Sequence, residues 1–264
     1  MNLAGPPLPN NLFPPRGRRS DVLVHFTHPT NCNRDMDLLP SRTSIASWLP
    51  WTPPQKLHRR RLQLLLITLV VLILVYPLFT EAPKVLSLLM TIVLAAAVWA
   101  LSEDRWGWYG AVGLGLPHLI TIWLMPVAPS WTTSLFRAIV SALFYGFTTI
   151  IVLRHILRSR QVVQDTLYGA ASAYLLLGLS WASLYAISDL LQPGAIISAN
   201  GGEIGWIEYV YFSFVTLTTL GYGDLVPGHA SAQSLAILQG VVGTLYVAVL
   251  VSQFVEQYAA QQRR

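Results

Sequence analysis

The amino-acid sequence predicts an all-α membrane protein: six spanning helices, with a re-entrant helix and an irregular loop between the fifth and the sixth. Three observations predict it. Of 264 residues, 53% are hydrophobic and only 11% charged, whereas ordinary soluble domains carry roughly 25% charged residues. Six apolar stretches follow one another from residue 62 onward, each near the roughly 20 residues a helix needs to cross a hydrocarbon core. A further apolar run, residues 207–217, is too short to cross and leads into polar, glycine-bearing backbone. Non-helical backbone is tolerated at membrane depth only where protein buries it or a watery path runs beside it. The loop therefore predicts a pore or a binding cavity.

Residues 1–61 are rich in Pro, Asn, Ser and Arg and bury too little apolar surface to offset ordering entropy. They are expected to form a mostly disordered cytoplasmic segment. Trp48, Trp51 and the basic run 56–61 suit either a membrane interface, with rings at headgroup level and cations on anionic lipid, or a plain tether. Residues 1–20 hold five prolines and three arginines without an apolar core, so no secretory signal is expected. Cys32 is the only cysteine, which excludes an intrachain disulfide and a multi-cysteine metal site.

The six spans are expected at residues 62–80, 85–101, 106–125, 135–155, 166–187 and 234–255. The second is short and requires local thinning of the bilayer. Residues 62–160 then form a four-helix scaffold. Residues 161–264 form a second domain of outer helix, re-entrant helix, loop and inner helix. With the N-terminus inside, fifteen Lys and Arg fall on the inner side and only Lys84 and Arg137 on the outer side. The positive-inside rule thus predicts a multi-pass protein of the plasma or inner membrane with both termini cytoplasmic. The basic residues sit at segment ends and connections, which argues against nucleic-acid binding.

The loop reads Thr218-Thr219-Leu220-Gly221-Tyr222-Gly223-Asp224, with Pro227 after it. To pass one cation and reject another, a pore must replace the hydration shell with oxygens of suitable spacing and field strength, and backbone carbonyls do this. Pointing every carbonyl to one axis forces partly left-handed backbone, which glycine enters without the roughly 1–2 kcal/mol that a side chain costs. Gly221 and Gly223 stand where this requires them.

This stretch, preceded by an aromatic half-helix, resembles the filter of the tetrameric potassium channels, closely over residues 206–227 and more loosely over the flanking spans. The resemblance implies that the carbonyls of Thr219, Leu220, Gly221 and Tyr222, with the Thr219 hydroxyl, hold potassium, and that Gly223 completes the filter. Tyr222 would act as a lateral spring against the pore helix and Asp224 would sit at the outer mouth. Leu220 departs from the more frequent Val or Ile but keeps its carbonyl. Some relatives carry a glutamate at the position of Val215, paired with the aspartate after the filter, and this chain lacks that pair. In the inner helix, Gly243 fits the gating hinge of the family, while Gly240 fits either a hinge or close packing. One such loop supplies a quarter of a ring, so four copies are expected around one axis, a homotetramer in membrane lipid.

Voltage sensors of the resembled family carry arginines every third residue through the fourth span. Here residues 135–153 contain Arg137 alone. Moving one charge through 100 mV is worth about 2.3 kcal/mol, so weak voltage dependence at most is expected. His118 suits a packed, hydrogen-bonded residue or a pH sensor. Glu81, Glu103 and Asp104 fall in connections. Glu203 and Glu208 flank the start of the re-entrant helix, where carboxylates favour the helix N-terminus, and Glu208 would also concentrate cations near the mouth. Glu256 is either a solvated helix end or a cation attractor at the inner mouth.

Enzyme activity is not expected: Ser180, Ser183 and His118 are scattered, and no HExxH or nucleophile elbow occurs. A modulatory, non-conducting subunit is the other class considered, and the complete loop argues against it. No cofactor is expected beyond permeant potassium. The chain runs only a few residues past the sixth span, so no nucleotide- or calcium-binding domain is expected after it.

Overall fold

The computed structural model describes residues 55–79, 82–102, 105–124, 130–158, 164–199 and 201–262. Helix α1 (Gln55–Val75) passes into a single 3-10 turn at Tyr76–Phe79, where Pro77 has no N–H to continue the ladder. Helix α2 (Pro83–Ala100) starts on a proline, whose missing N–H costs nothing at a helix start. Helix α3 (Arg105–Leu124) runs through Pro117. Helix α4 (Trp131–Arg158) follows Ser130. There the Thr133 N–H donates to Ser130 Oγ at 3.2 Å, and the Ser130 N–H donates to Thr133 Oγ1 at 2.9 Å. This reciprocal cap satisfies donors that a helix start leaves free.

Helix α5 (Gln164–Leu191), strand β1 (Ile196–Ser198), helix α6 (Trp206–Leu217), strand β2 (Leu225–Pro227) and helix α7 (Ala230–Gln262) complete the order. The strands pair antiparallel, Ile197 opposite Val226. They join the loop before α6 to the stretch after it, a short sheet that the all-α expectation did not contain.

The first expected boundary needs correction. Residues 55–61, read as the end of the disordered segment, are helical and form the opening turns of α1. Hydropathy marks where apolar side chains begin, but the backbone ladder continues past them. Arg61 is held there, with Nη1 donating to Ser102 Oγ at 2.7 Å and its guanidinium 5.3 Å from the centre of the Trp99 ring. Trp48, Trp51, Cys32, Glu81, Glu103 and Asp104 lie outside the described residues.

A helix occupies each expected span. By length and composition, four are able to cross a membrane: Arg60–Phe79, Trp131–Leu157, Gln164–Leu191 and Ala230–Glu256. Lys84–Ala100 is apolar but shorter, and α3 is interrupted by Gly, Tyr, Pro and His.

Packing crosses the expected division at 160/161. Leu62, Leu65, Leu69 and Leu72 are buried, and their three-and-four spacing puts them on one stripe of α1. That stripe joins a core with Leu94 and Ala97 of α2, Ala111 of α3, Phe144 and Tyr145 of α4, and Ala173 and Leu176 of α5. Helices α4 and α5 run antiparallel: Trp131 Nε1 donates to Leu190 O at 2.9 Å and Ser180 Oγ to Ala142 O at 3.4 Å. Near their other ends, Ile156 faces Gly169. A second core, including Trp181, Tyr185, Ile196, Tyr209 and Phe212, lies where α5, β1 and α6 meet.

Candidate functional site

Helix α6 is short because its start and its end are both fixed. Glu208 Oε2 accepts the Gly205 N–H at 2.8 Å, closing the first turn. At the other end the Leu220 N–H donates to Val215 O at 2.9 Å and the Gly221 N–H reaches the same oxygen at 3.4 Å. Both donors therefore turn back towards the helix. Beyond it, φ is positive at Thr219 (59°), Gly221 (59°) and Gly223 (82°), and at neither Leu220 nor Tyr222. Alternation of handedness turns successive N–H groups to one side of the chain and so leaves the carbonyls to the other. Thr219 is the non-glycine member, in a region that costs a side chain roughly 1–2 kcal/mol.

Residues 219–223 are exposed on the chain. The Tyr222 ring lies parallel to that of Tyr211 on α6, centres 6.4 Å apart. The Tyr211 hydroxyl donates to Asp224 Oδ2 at 2.8 Å, and Asp224 Oδ1 accepts the Leu225 N–H at 3.0 Å. These bonds, the tyrosine's first, hold the Asp224 carboxyl below the ordinary aspartate range. Val215 cannot supply the partner that a glutamate would, and Tyr211, one turn earlier, supplies it instead.

Behind α6 lies a buried polar network. Ser213 Oγ donates to Gly178 O at 2.6 Å; Gln239 Nε2 donates to Ser213 O and Oγ at 2.9 and 2.8 Å; Tyr185 donates to Gln239 Oε1 at 2.6 Å. It ties α5, α6 and α7 together, and Tyr185, Ser213 and Gln239 are fully buried. Near the end of α5, Asp189 Oδ1 accepts the N–H groups of Gly194 and Ala195 at 3.1 and 2.9 Å, and Oδ2 accepts the Tyr209 hydroxyl at 2.7 Å. Sequence reasoning missed Asp189, Tyr211, Ser213 and Gln239. The signal for Gln239 was a long amide inside an apolar span; no equivalent signal marked the others.

Of the glycines at 240 and 243 in α7, Gly240 has open space around it, whereas a Cβ on Gly243 would overlap the Leu217 carbonyl oxygen. Gly243 thus lets α7 approach the end of α6, and α7 is helical on both sides of it. His118 is buried, 3.2 Å from Ser141 Oγ through Nδ1 and 3.4 Å from the Tyr145 hydroxyl through Nε2. Ser183 Oγ donates to Leu179 O within its own helix. Glu203 and Glu256 are exposed.

Residues 170–260 match the ion channel family. The matched segment runs from α5 through α6 and the residues of alternating handedness into α7, and leaves α1–α4 outside. No curated protein and no solved structure matches the chain. The four helices long and apolar enough to cross a membrane mark a multi-pass membrane protein, and two of them, α5 and α7, lie in the segment that is similar to ion channels.

Proposed function

We propose that the chain is a subunit of a potassium-selective channel, four copies of which surround one axis. The observation that carries this reading is the backbone of Thr219–Gly223, where positive φ at alternate residues sends N–H groups towards α6 and leaves a row of carbonyls for an ion. The carbonyls of Thr219, Leu220, Gly221 and Tyr222 replace the water around a dehydrated potassium ion. Asp224 stands at the outer mouth. Six helices span the membrane, α6 enters from outside, and both termini are cytoplasmic, an orientation supported by the distribution of Lys and Arg.

Four chains are needed because each contributes one strip of carbonyls, and the exposure of Leu220 and Tyr222 on a single chain supports this. Helix α4 carries Arg137 as its only charge over residues 135–153, so voltage governs opening weakly. Gly243 serves as the point about which α7 bends. The domain passes ions without chemical conversion and without a resident cofactor.

The test is the reversal potential of the full chain in bilayers under opposed potassium and sodium gradients. A value near the potassium equilibrium potential is expected. A value that treats the two ions alike overturns the reading.

A further inference from the structure

Two cavities abut beside α6 and share Tyr76, Met90 and Trp206 in their walls. The first, about 370 Å³, is an apolar groove between the end of α1 and α6, lined by Leu72, Ile73, Val210 and Phe214 and reaching Leu220 and Tyr222. Its volume falls in the range of roughly 300–1,000 Å³ of small-molecule sites. The second, about 230 Å³, opens among α2, α3 and α4; its walls are mostly apolar, with Leu86 and Ile122 among them, and carry the polar groups of His118, Ser141, Ser87 and Tyr145, with Arg137 at an exposed position.

Among the described residues, no carboxylate lines either cavity and Arg137 has no ion-pair partner. Glu208, two residues after Trp206, accepts the Gly205 N–H. Arg137 lies six residues into α4 from Trp131, about 9 Å along the axis at 1.5 Å per residue. A cation at that depth is costly unless an anion or water meets it. A cavity that gathers a guanidinium and several hydroxyl groups, joined to an apolar groove, is complementary to an amphiphile with an anionic head.

We propose that the two cavities form one site for an outer-leaflet phospholipid, with its phosphate on Arg137 and one acyl chain in the groove behind Leu220 and Tyr222. A guanidinium donates paired hydrogen bonds to phosphate oxygens. The Ser141–His118–Tyr145 chain offers hydroxyl and imidazole groups beside it. Trp206, the first residue of α6, stands against both head and tail, so the bound lipid braces the helix that carries the candidate filter. The site goes beyond the potassium reading and rests on it for its side of the membrane alone.

The test uses the full-length protein in detergent, incubated with phosphatidylglycerol and weighed by native mass spectrometry, with inorganic phosphate as a parallel probe. One phosphatidylglycerol per subunit is expected. Arg137→Gln should weaken its retention about tenfold, as loss of a charged hydrogen bond implies; Arg137→Lys should weaken it less. Ile73→Trp, which fills the groove, should also release it, and Lys84→Gln should not. If Arg137→Gln fails to assemble, Arg137→Lys and Ile73→Trp still decide. Unchanged retention in all the Arg137 and Ile73 variants overturns the site. So does a phosphate adduct without a lipid adduct, which marks a soluble-anion site, or an assembled protein without lipid, as when a neighbouring copy fills the groove. The lipid count needs no ion flux, so its failure and a failure of potassium selectivity are read separately.

Discussion

Tyr211 and Asp224 are thirteen residues apart in sequence and joined by a 2.8 Å hydrogen bond that spans the whole of the Thr219–Gly223 segment. The bond closes a loop whose ends are α6 and β2, and it fixes the far end of a stretch held at its near end by Val215 O. Removing it with Tyr211→Phe should leave assembly intact and hasten the decay of current during sustained opening. Equal decay in both proteins would show that the bond does not brace the loop.

The same bond sets a pH dependence. Asp224 is held below the ordinary aspartate value of about 3.9. A depressed carboxyl stabilises the folded loop above its ordinary pKa, and that contribution disappears as pH falls through the lowered value. External acid should therefore leave current unchanged down to about pH 5 and reduce it only below the ordinary carboxylate range. In Tyr211→Phe the reduction should begin at higher pH. Current recorded against external pH checks both directions.

The two α7 glycines should part company. Gly243→Ala pushes a methyl into the Leu217 carbonyl and should destabilise the protein by about 1–3 kcal/mol. Gly240→Ala meets open space within the chain and should be neutral or stabilising by up to about 1 kcal/mol. Thermal unfolding in detergent measures both, and opening probability of Gly243→Ala separates close approach from bending.

The buried network should behave as a unit. Tyr185→Phe removes the donor to Gln239 Oε1, and Gln239→Leu removes the whole connection to Ser213. Hydrogen bonds between membrane helices average about 0.6 kcal/mol and reach about 1.7. The double-mutant cycle for Tyr185 and Gln239 should give a coupling within that range, and a coupling of zero would detach the network from stability.

Gly221→Ala should abolish potassium current while the protein still assembles, because φ of 59° costs a side chain roughly 1–2 kcal/mol at a position repeated around the axis. Flux from liposomes and size-exclusion profiles of the same preparation are the paired measurements.

Helix positions were legible because apolar runs of spanning length leave little choice of structure, and the loop was legible because two glycines flank an aromatic residue at a fixed interval. The start of α1 at Gln55 was not, since the sequence of its first turns, rich in Gln, Lys, His and Arg, carries no apolar signature. The β1–β2 pair was hidden for another reason: its two strands of three residues acquire meaning only once α6 folds between them. Asp189 and Tyr211 were equally hidden, because each is defined by a partner that the sequence places far away. Val215 showed that one familiar pairing was absent, but only the geometry of α6 revealed which neighbour takes its place.

Helices α4 and α5 are separated by only residues 159–163 and lie against each other within one chain, from Trp131 beside Leu190 to Ile156 beside Gly169. That close pairing leaves little slack. A displacement of α4 would therefore be passed on, as a lever moves its load, to α5 and so to the segment from residue 170 that matches the ion channel family.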